Sequence, residues 1–593
     1  MSHGLRKLTR IAFAGLRMIS VEKQFYQAFP KLSAGTGRTL SRPVVEWLRQ
    51  FICEERINAE LTELQSLRGL DFVDAALERR SVVCQTALTD LAHLPDQGRV
   101  LIVANHPLGA LDAFALLQLV GSVRRDVRIL ANEVLLQLDP LRELFIGCDV
   151  FGRRSPTQLR EVYRALEAEQ AVILFPAGEV SRMRPNGVRD GRWQDGFVRI
   201  ARRSGAPVLP VHIHAHHSPM FYGASMLAKS LATLMLPRAL FSGVPTRIGI
   251  TLGAPVPSSA LAAEQGSSTL IATAMRRHVY RLPTRKPPLF VTTTTVAHPQ
   301  PAARVREGLQ RAEALGHTKD GQAILLLPGA RGCPVLKEIG RLRELAFRKV
   351  GEGTGLRRDL DEYDVHYQHI VLWNERAQEI VGAYRLAPAG SVIASRGLAG
   401  LYTSSLFEFA PSAQGFLGEA IELGRSFVQP RYWGSRSLDY LWQGIGAYLV
   451  AHPEVRYLFG PVSLSAQLSE PARQLIVAVH KQLFADRDGL ARSRNPMRLD
   501  PAVVAEVSDQ LAGRDGAAAL IWLRDRLQQL GENLPVLYRQ YVDLCEPDGI
   551  RFLDFGVDPA FGHCVDGLIR VDIARLKASK RQRYLGERPA AAA

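Results

Sequence analysis

The chain of 593 residues is long enough for two to four domains at roughly 100–200 residues each, so its cores need no metal or disulfide staple. Apolar residues at 47% and charged residues at 22% exclude a disordered or fibrous chain. Lys and Arg number 74 against 58 Asp and Glu, a formal charge of +16 that narrows the partners to nucleic acid, an anionic membrane or an acidic carrier protein.

Residues 1–60 read as a basic helical region. Leu5, Leu8, Ile11, Ala12, Leu16 and Ile19 recur at helical spacing among Arg6, Lys7, Arg10, Arg17, Lys23 and Lys31. That pattern suits a helix on a membrane surface, and equally a helix packed on its own domain. The uncharged run Ile11 to Leu16 is too short for a signal peptide. Met220 to Val244, the greasiest segment, is broken by Lys229 and Arg238, so no membrane-spanning helix is expected.

Residues 61–285 alternate short apolar runs with helical stretches. Val100–Ala104, Ala171–Phe175 and Pro207–Ile213 are expected as buried strands of an α/β layer. A Pro- and Thr-rich seam, Arg281 to Val305, marks a boundary, and 286–320 is expected as linker. A second, mixed-sheet domain is expected over 321–590. It has strands at Val365–Trp373, Glu379–Leu386, Leu401–Phe409, Ala420–Phe427 and Val455–Val462, and a helix at Leu438–His452. Cys53, Cys84, Cys148, Cys333, Cys545 and Cys564 form no C-x-x-C pair, which excludes a zinc ribbon and fits a reducing compartment.

His106 and Asp112 flank a Pro- and Gly-containing turn just after the first strand, at the end where α/β sheets display reactive groups. A histidine there can take an alcohol's proton if a carboxylate fixes its tautomer. The same pair also fits a core histidine and a helix-capping aspartate. The segment Asn105-His-Pro-Leu-Gly-Ala-Leu-Asp112 resembles the Asn-His…Asp signature of the PlsC-like (lysophosphatidic acid acyltransferase) superfamily. Gly147–Arg154, Phe175–Arg182 and Val208–Val211 resemble its later blocks, in order. Two departures stand out: five residues separate His106 from Asp112 where the pattern has four, and Ala177 occupies the usual glutamate position, with Glu179 two residues on.

The resemblance implies that His106 is the general base and Asp112 its orienter. It places Asn105, Gly178 and Glu179 at the substrate, with Arg153, Arg154 and Arg182 as clamps for an anionic carboxylate or phosphate. His212, His214 and His216 share a strand face, but no aspartate completes a binuclear motif, so no metal is expected.

The second half has no triad, Walker loop or dinucleotide fingerprint, and Gly351–Gly355 reads as a flexible turn. Arg385, Glu422 and Arg425 are embedded in apolar strand-like segments, and buried charges require partners. Arg343 with Phe347, Asp361 with Asp364, Gly382-x-Tyr-Arg385 and Glu422-Leu-Gly-Arg425 resemble the acyl-homoserine-lactone synthase-like branch of the GNAT fold. The resemblance is strongest to relatives that N-acylate ornithine, and it covers about residues 321–465. It implies that Glu422 is the base for an amine acceptor, that Asp361 and Asp364 hold the acceptor's cationic end, and that Arg385 and Arg425 structure the site or grip a carboxylate. Glu422 and Arg425 as a purely structural ion pair fit the residues too.

An O-acyltransferase-like half followed by an N-acyltransferase-like half resembles the bifunctional ornithine lipid synthases. That resemblance implies two steps without a bound cofactor: N-acylation of an amino acid by a 3-hydroxyacyl group, then O-acylation of that hydroxyl. Acyl carrier protein, or coenzyme A, would bring each acyl group. The expected setting is the cytoplasmic face of an anionic bacterial inner membrane, with amino-acid and lyso-lipid acceptors. A lysophospholipid O-acyltransferase with an inactive second half, or a non-catalytic peripheral membrane protein, are the rivals. Nucleic acid is not an expected partner, since no RNP-like segment, zinc finger or basic zipper is present.

Overall fold

A computed structural model describes residues 20–132, 138–148, 156–185, 187–216 and 247–586. The chain divides into two compact units, Met1–Thr295 and Val296–Ala593. The first nineteen residues, most of the basic helix expected from the sequence, lie outside the described residues, as do Arg153, Arg154 and the segment 217–246. No described helix is long and apolar enough to cross a membrane.

Among the described residues the first unit holds nine strands: β1 (Val83–Gln85), β2 (Val100–Ala104), β3 (Val127–Asn132), β4 (Phe145–Cys148), β5 (Ala171–Leu174), β6 (Arg182–Arg184), β7 (Gly187–Arg189), β8 (Val208–His214) and β9 (Arg247–Leu252). Seven form one sheet in the order β1-β9-β8-β2-β5-β3-β4, parallel throughout except at β8–β9. β6 and β7 make a separate hairpin.

Helices cover both faces of this sheet, which is why β2 can be five consecutive apolar residues, all fully buried. Strand alternation divides them between two cores. Val100, Ile102 and Ala104 pack with Phe72, Val73, Leu111 and Leu116, from the helices Gly69–Arg79 and Ala110–Gly121. Leu101 and Val103 pack with Val162, Phe197, Ile271 and Met275 from three helices of the opposite layer. Each such side chain contributes about 1.5–3 kcal/mol of burial free energy. β2 lies at the sheet's centre, and its carboxyl end leads into residues 105–109 and the helix beginning at Ala110. Gly109 starts that helix at φ +82°, a backbone region that other residues enter only with strain.

The seam after Leu282–Thr284 is extended but anchored, not free. Phe290 is buried in the first unit's core, Thr293 N donates to Pro255 O, and Thr295 Oγ1 donates to His93 O. The stretch expected as linker also carries a helix, Ala302–Leu309, and a strand, β10 (Glu313–His317). Val305 and Leu309, one turn apart, bury against Val335, Leu336 and Ile339, and this packing orders the helix despite the flanking prolines.

In the second unit β10 begins an eight-stranded mixed sheet. The other strands are β11 (Ala323–Pro328), β12 (Gln368–Asn374), β13 (Glu379–Pro388), β14 (Phe407–Phe409), β15 (Ala420–Val428), β16 (Tyr457–Leu464), β17 (Ala491–Ser493), β18 (Ile550–Asp558) and β19 (Cys564–Asp572). The large sheet runs β10-β11-β12-β13-β15-β16-β19-β18, while β14 and β17 pair separately. Every neighbour is antiparallel except β15–β16, whose crossover contains the helix Ser437–Ala451.

Two expected strands are shortened by local bonds. Val365 ends a 3-10 turn, Glu362–Val365, held by reciprocal bonds between Asp361 and Asp364. Within Leu401–Phe409 a helical turn, Thr403–Leu406, precedes the three-residue β14. The glycine-rich turn after Lys349 is tied down, because Thr354 N and Gly355 N both donate to the Glu344 carboxylate.

The β15–β16 pair is short. The two strands pair only at Ala420–Tyr457, Ile421–Leu458 and Glu422–Phe459. Beyond Glu422, β15 continues beside β13 and β16 beside β19. The register of β13 against β15 slips here, and Arg425 adopts φ +51°, a bulge that re-aims the strand's side chains.

Candidate active sites

In the first unit His106 is the second residue beyond β2. Its Nδ1 stands 3.1 Å from Asp112 Oδ2, while its ring stacks on Phe175, 4.0 Å between centroids, from the end of β5. The pair is at ion-pair distance, though the ring N–H is not aligned for a full hydrogen bond. Such looseness is common before substrate binds. Asp112 is completely buried, and its Oδ2 also accepts from Leu108 N at 2.6 Å and Gly109 N at 3.0 Å. One carboxylate therefore both caps its helix and faces the imidazole, so the two sequence readings of Asp112 coexist. Burial pushes its carboxyl above the usual range, opposed by His106 and the two N–H donors.

The other expected residues divide into positioning groups and groups at the surface of the site. Asn105 is buried, with Nδ2 donating to Ile213 O at 2.9 Å and Oδ1 accepting from Ile213 N at 2.7 Å. It thereby ties the end of β2 to β8 from a buried position. Gly178, at φ +66°, turns the chain after β5 and donates N–H to Phe175 O. Glu179 pairs with Arg182 at 3.4 Å, and both are partly exposed.

Sequence reasoning missed Asp190, the hub of this loop cluster. Its Oδ1 accepts from His106 N at 3.2 Å and from the Ser181 hydroxyl, while Oδ2 accepts from Trp193 Nε1 at 2.8 Å. Ser181 N in turn donates to His106 O at 2.7 Å. Nothing local distinguishes Asp190 in the sequence, because its partners come from three separate segments.

In the second unit the expected charges meet in one buried network. Arg343, fully buried on the helix Pro334–Lys349, donates Nη1 to Asp364 Oδ1 at 2.8 Å. Arg385 on β13 donates to Asp361 Oδ1 at 2.5 Å and lies 3.3 Å from Asp364 Oδ1. Arg425 on β15 reaches Asp359 Oδ2 at 3.5 Å and Asp361 Oδ2 at 4.0 Å. Burial alone would raise Asp364, but Arg343 and Arg385 hold it well below the ordinary carboxylate range. Burial would likewise lower Arg385, but Asp361 and Asp364 keep it above its usual value.

Aromatic faces complete the packing of these cations. Arg425 lies between the rings of Tyr402 (4.8 Å) and Phe561 (4.5 Å), and Arg385 lies 5.0 Å from Tyr402 and 5.2 Å from Tyr367. Phe347 packs edge-on against Phe561, which is how it enters the site. Asp359, Tyr367, Tyr402 and Phe561 were not legible as site residues. Only the spacing of Asp359 to Asp361 and Asp364 hinted at one of them.

Glu422 is almost fully buried. It accepts the Tyr367 hydroxyl and Tyr402 N on Oε2, and Thr403 N at 2.6 Å on Oε1. These bonds explain the helical turn at Thr403 that replaces the expected strand. Burial raises its carboxyl, and the donors oppose the rise. A second carboxylate, Glu352, is only partly buried and, like the network, lies in the electrostatic reach of Arg425. It adjoins Gly562, next to Phe561, and is pushed up to about 7 by burial and by Asp566, with Arg425 opposing. Asp566 on β19 accepts from Ser463 Oγ at 2.7 Å and is itself raised to about 6, mainly by burial.

Comparison with known proteins finds acyltransferase relatives for both halves of the chain. An acyltransferase family model matches residues 30–284, and an acetyltransferase (GNAT) domain model matches residues 342–443. The chain is 32% identical over 279 residues to a glycine N(alpha)-acyltransferase of Bacteroides thetaiotaomicron, covering 45% of this chain and 82% of that one. The chain belongs to this acyltransferase family. The acyltransferase is also 28% identical over 225 residues to a lyso-glycine lipid O-acyltransferase of Phocaeicola vulgatus, covering 37% of this chain and 80% of that relative. An L-ornithine N(alpha)-acyltransferase of Rhodobacter capsulatus is 28% identical over 204 residues, 32% of this chain and 76% of its own.

Proposed function

We propose that this acyltransferase is bifunctional and makes a diacylated aminolipid, its second unit acylating an amino acid's amine and its first unit acylating a hydroxyl on that product. The observation that carries the reading is the presence in one chain of two non-overlapping acyltransferase matches, each around its own buried charged site. In the N-acylation step the amine attacks an acyl thioester, a C–N bond forms, the C–S bond breaks and a thiolate departs, to be protonated by the base once that base holds the amine's proton. Glu352 takes the amine's proton. Its partial exposure and near-neutral proton affinity suit that role, while Glu422, enclosed by Tyr367, Tyr402 and Thr403, holds the turn at Thr403. In the O-acylation step His106 takes the hydroxyl proton, the oxygen attacks the thioester, and the imidazolium returns the proton to the leaving thiolate.

The acceptor amino acid in this reading is glycine, not the ornithine implied by the sequence resemblance. Asp364 bonds Arg343 and Asp361 bonds Arg385, so both carboxylates already carry a guanidinium partner, which favours an acceptor without a side-chain ammonium. Acyl carrier protein is the donor's carrier, and an anionic membrane surface is the place of work. The +16 charge supports both by drawing acidic partners, with an attraction that salt weakens.

Lipid mass spectrometry of a bacterial host lacking aminolipids, and able to supply 3-hydroxyacyl carrier, tests the reading. Expression should yield a diacyl lipid whose headgroup mass is that of glycine, and no new aminolipid would sink the bifunctional reading. For the base, the N-acylation rate should fall as pH drops through about 7, because Glu352 must be deprotonated to accept the amine's proton. Glu352→Gln should lower that rate about 10²-fold or more and remove this limb from the profile. A limb that survives in the variant would return the role to Glu422.

A further inference from the structure

A second set of side chains beside His106 is not used by the proton-transfer chemistry. Tyr280, which follows the helix Ser268–Val279, accepts from Asp190 N at 2.8 Å, so it is tied to the hub that holds His106. Arg189 lies 5.0 Å from the Tyr280 ring centre and Arg276 lies 5.6 Å from it. Arg276 also donates to Asp190 O at 2.7 Å, which fixes its direction. His212 on β8 meets the same ring edge-on at 5.4 Å.

Two features make this more than a stack of surface cations. In the β6–β7 hairpin Arg182 is the direct partner of Arg189, and opposed residues of an antiparallel pair project from the same face. Both arginines stand one residue from a group bonded to the His106 main chain, since Ser181 precedes Arg182 and Asp190 follows Arg189. In addition, His212 is only 8% exposed and its Nδ1 is buried without a hydrogen-bond partner among the described residues. A buried polar atom of this kind normally has a partner, and a bound ligand oxygen or water would supply one. Burial, His214 and Arg189 pull the His212 imidazole down to about 4, so it serves as a neutral hydrogen-bonding group there.

We infer that Arg189, with Arg276 and His212 around Tyr280, forms the subsite for the carboxylate of the O-acylation acceptor. The inference rests on the reading of the first unit as acylating an N-(3-hydroxyacyl) amino acid. In such an acceptor the carboxylate is a few bonds from the hydroxyl whose proton His106 removes, so an anion site must adjoin the base. A planar carboxylate matches the guanidinium fork in two parallel hydrogen bonds. Arg189 sits on the hairpin and Arg276 is held by a main-chain oxygen, so the subsite comes preformed with the catalytic loop. The sequence motifs gave no sign of the set, because Arg189, His212 and the Arg276–Tyr280 helix end come from three separate elements.

The test measures O-acylation kinetics of the full chain with N-(3-hydroxyacyl)glycine, the corresponding glycinamide and lysophosphatidate. The wild type should prefer the carboxylate over the amide by about 10–100-fold in kcat/KM, the value of a charge-assisted hydrogen-bond set. Arg189→Gln should raise KM for the carboxylate about tenfold or more while kcat changes less than about threefold, and the carboxylate-to-amide preference should collapse. Arg189→Lys should recover only part of it, since an ammonium lacks the fork. Equal use of carboxylate and amide by the wild type would overturn the inference, as would an unchanged preference in Arg189→Gln. Acylation of lysophosphatidate alone would overturn the underlying aminolipid reading instead.

Discussion

Replacing His106 with alanine is expected to lower O-acylation by about 10²–10⁴-fold, the range a positioned general base contributes. The same chain should keep making the N-acylated, monoacyl product, which would accumulate in lipid extracts. That product is an internal control for folding and expression. Asp112→Asn is the companion variant. It keeps the shape that caps the helix but removes the charge that faces Nδ1 at 3.1 Å, and its amide can hold the imidazole in the wrong tautomer. It should retain thermal stability better than Asp112→Ala, because Leu108 N and Gly109 N keep an acceptor. O-acylation that survives His106→Ala undiminished would remove the first unit's base from the mechanism.

Truncating Arg385 is expected to be the most damaging single change in the second unit. Arg385→Ala strips the cation from between Asp361 and Asp364 and leaves buried negative charge uncompensated, at a cost of about 3–5 kcal/mol. Arg385→Lys should recover only part of this. A single ammonium does not reproduce the planar group that bonds Asp361 while lying against Tyr367 and Tyr402. Urea unfolding of the full chain should show a lower midpoint in Arg385→Ala, and lipid extracts should lack the N-acylated product. An unchanged midpoint would mean that the network contributes nothing to folding. Double replacement of Arg385 and Asp361 by apolar residues should be less destabilising than either single change, because no charge is then stranded.

The structure reconciles readings that the sequence left as alternatives. Asp112 is both a helix cap and the carboxylate facing the histidine, since the helix starts where the base must be held. The Glu422–Arg425 ion pair that the sequence allowed is not formed among the described residues: Arg425 reaches Asp359 and Asp361, while Glu422 accepts from Tyr367, Tyr402 and Thr403. Asn105, expected at the substrate, spends both side-chain groups on Ile213 and so acts by fixing the strand end that carries His106.

The sequence by itself determined the features that repeat locally. Continuous apolar runs placed β2, β5 and β8 within a residue or two, because strands buried on both faces are almost wholly apolar, with buried His212 in β8 the exception. His106 with Asp112, close along the chain, was legible too. The tertiary structure alone decided which distant residues meet. Asp190 holds His106 from 84 residues away, and Tyr367 bonds Glu422 across 55. The order of the C-terminal strands, with β19 inserted between β16 and β18, was likewise invisible before folding. The physical reason is that a hydrogen bond or ion pair is specified by position in space, and only local spacing projects that position back onto the chain. A lone aspartate, tyrosine or arginine carries no periodic signal, so its partner is chosen by how the sheets and helices pack.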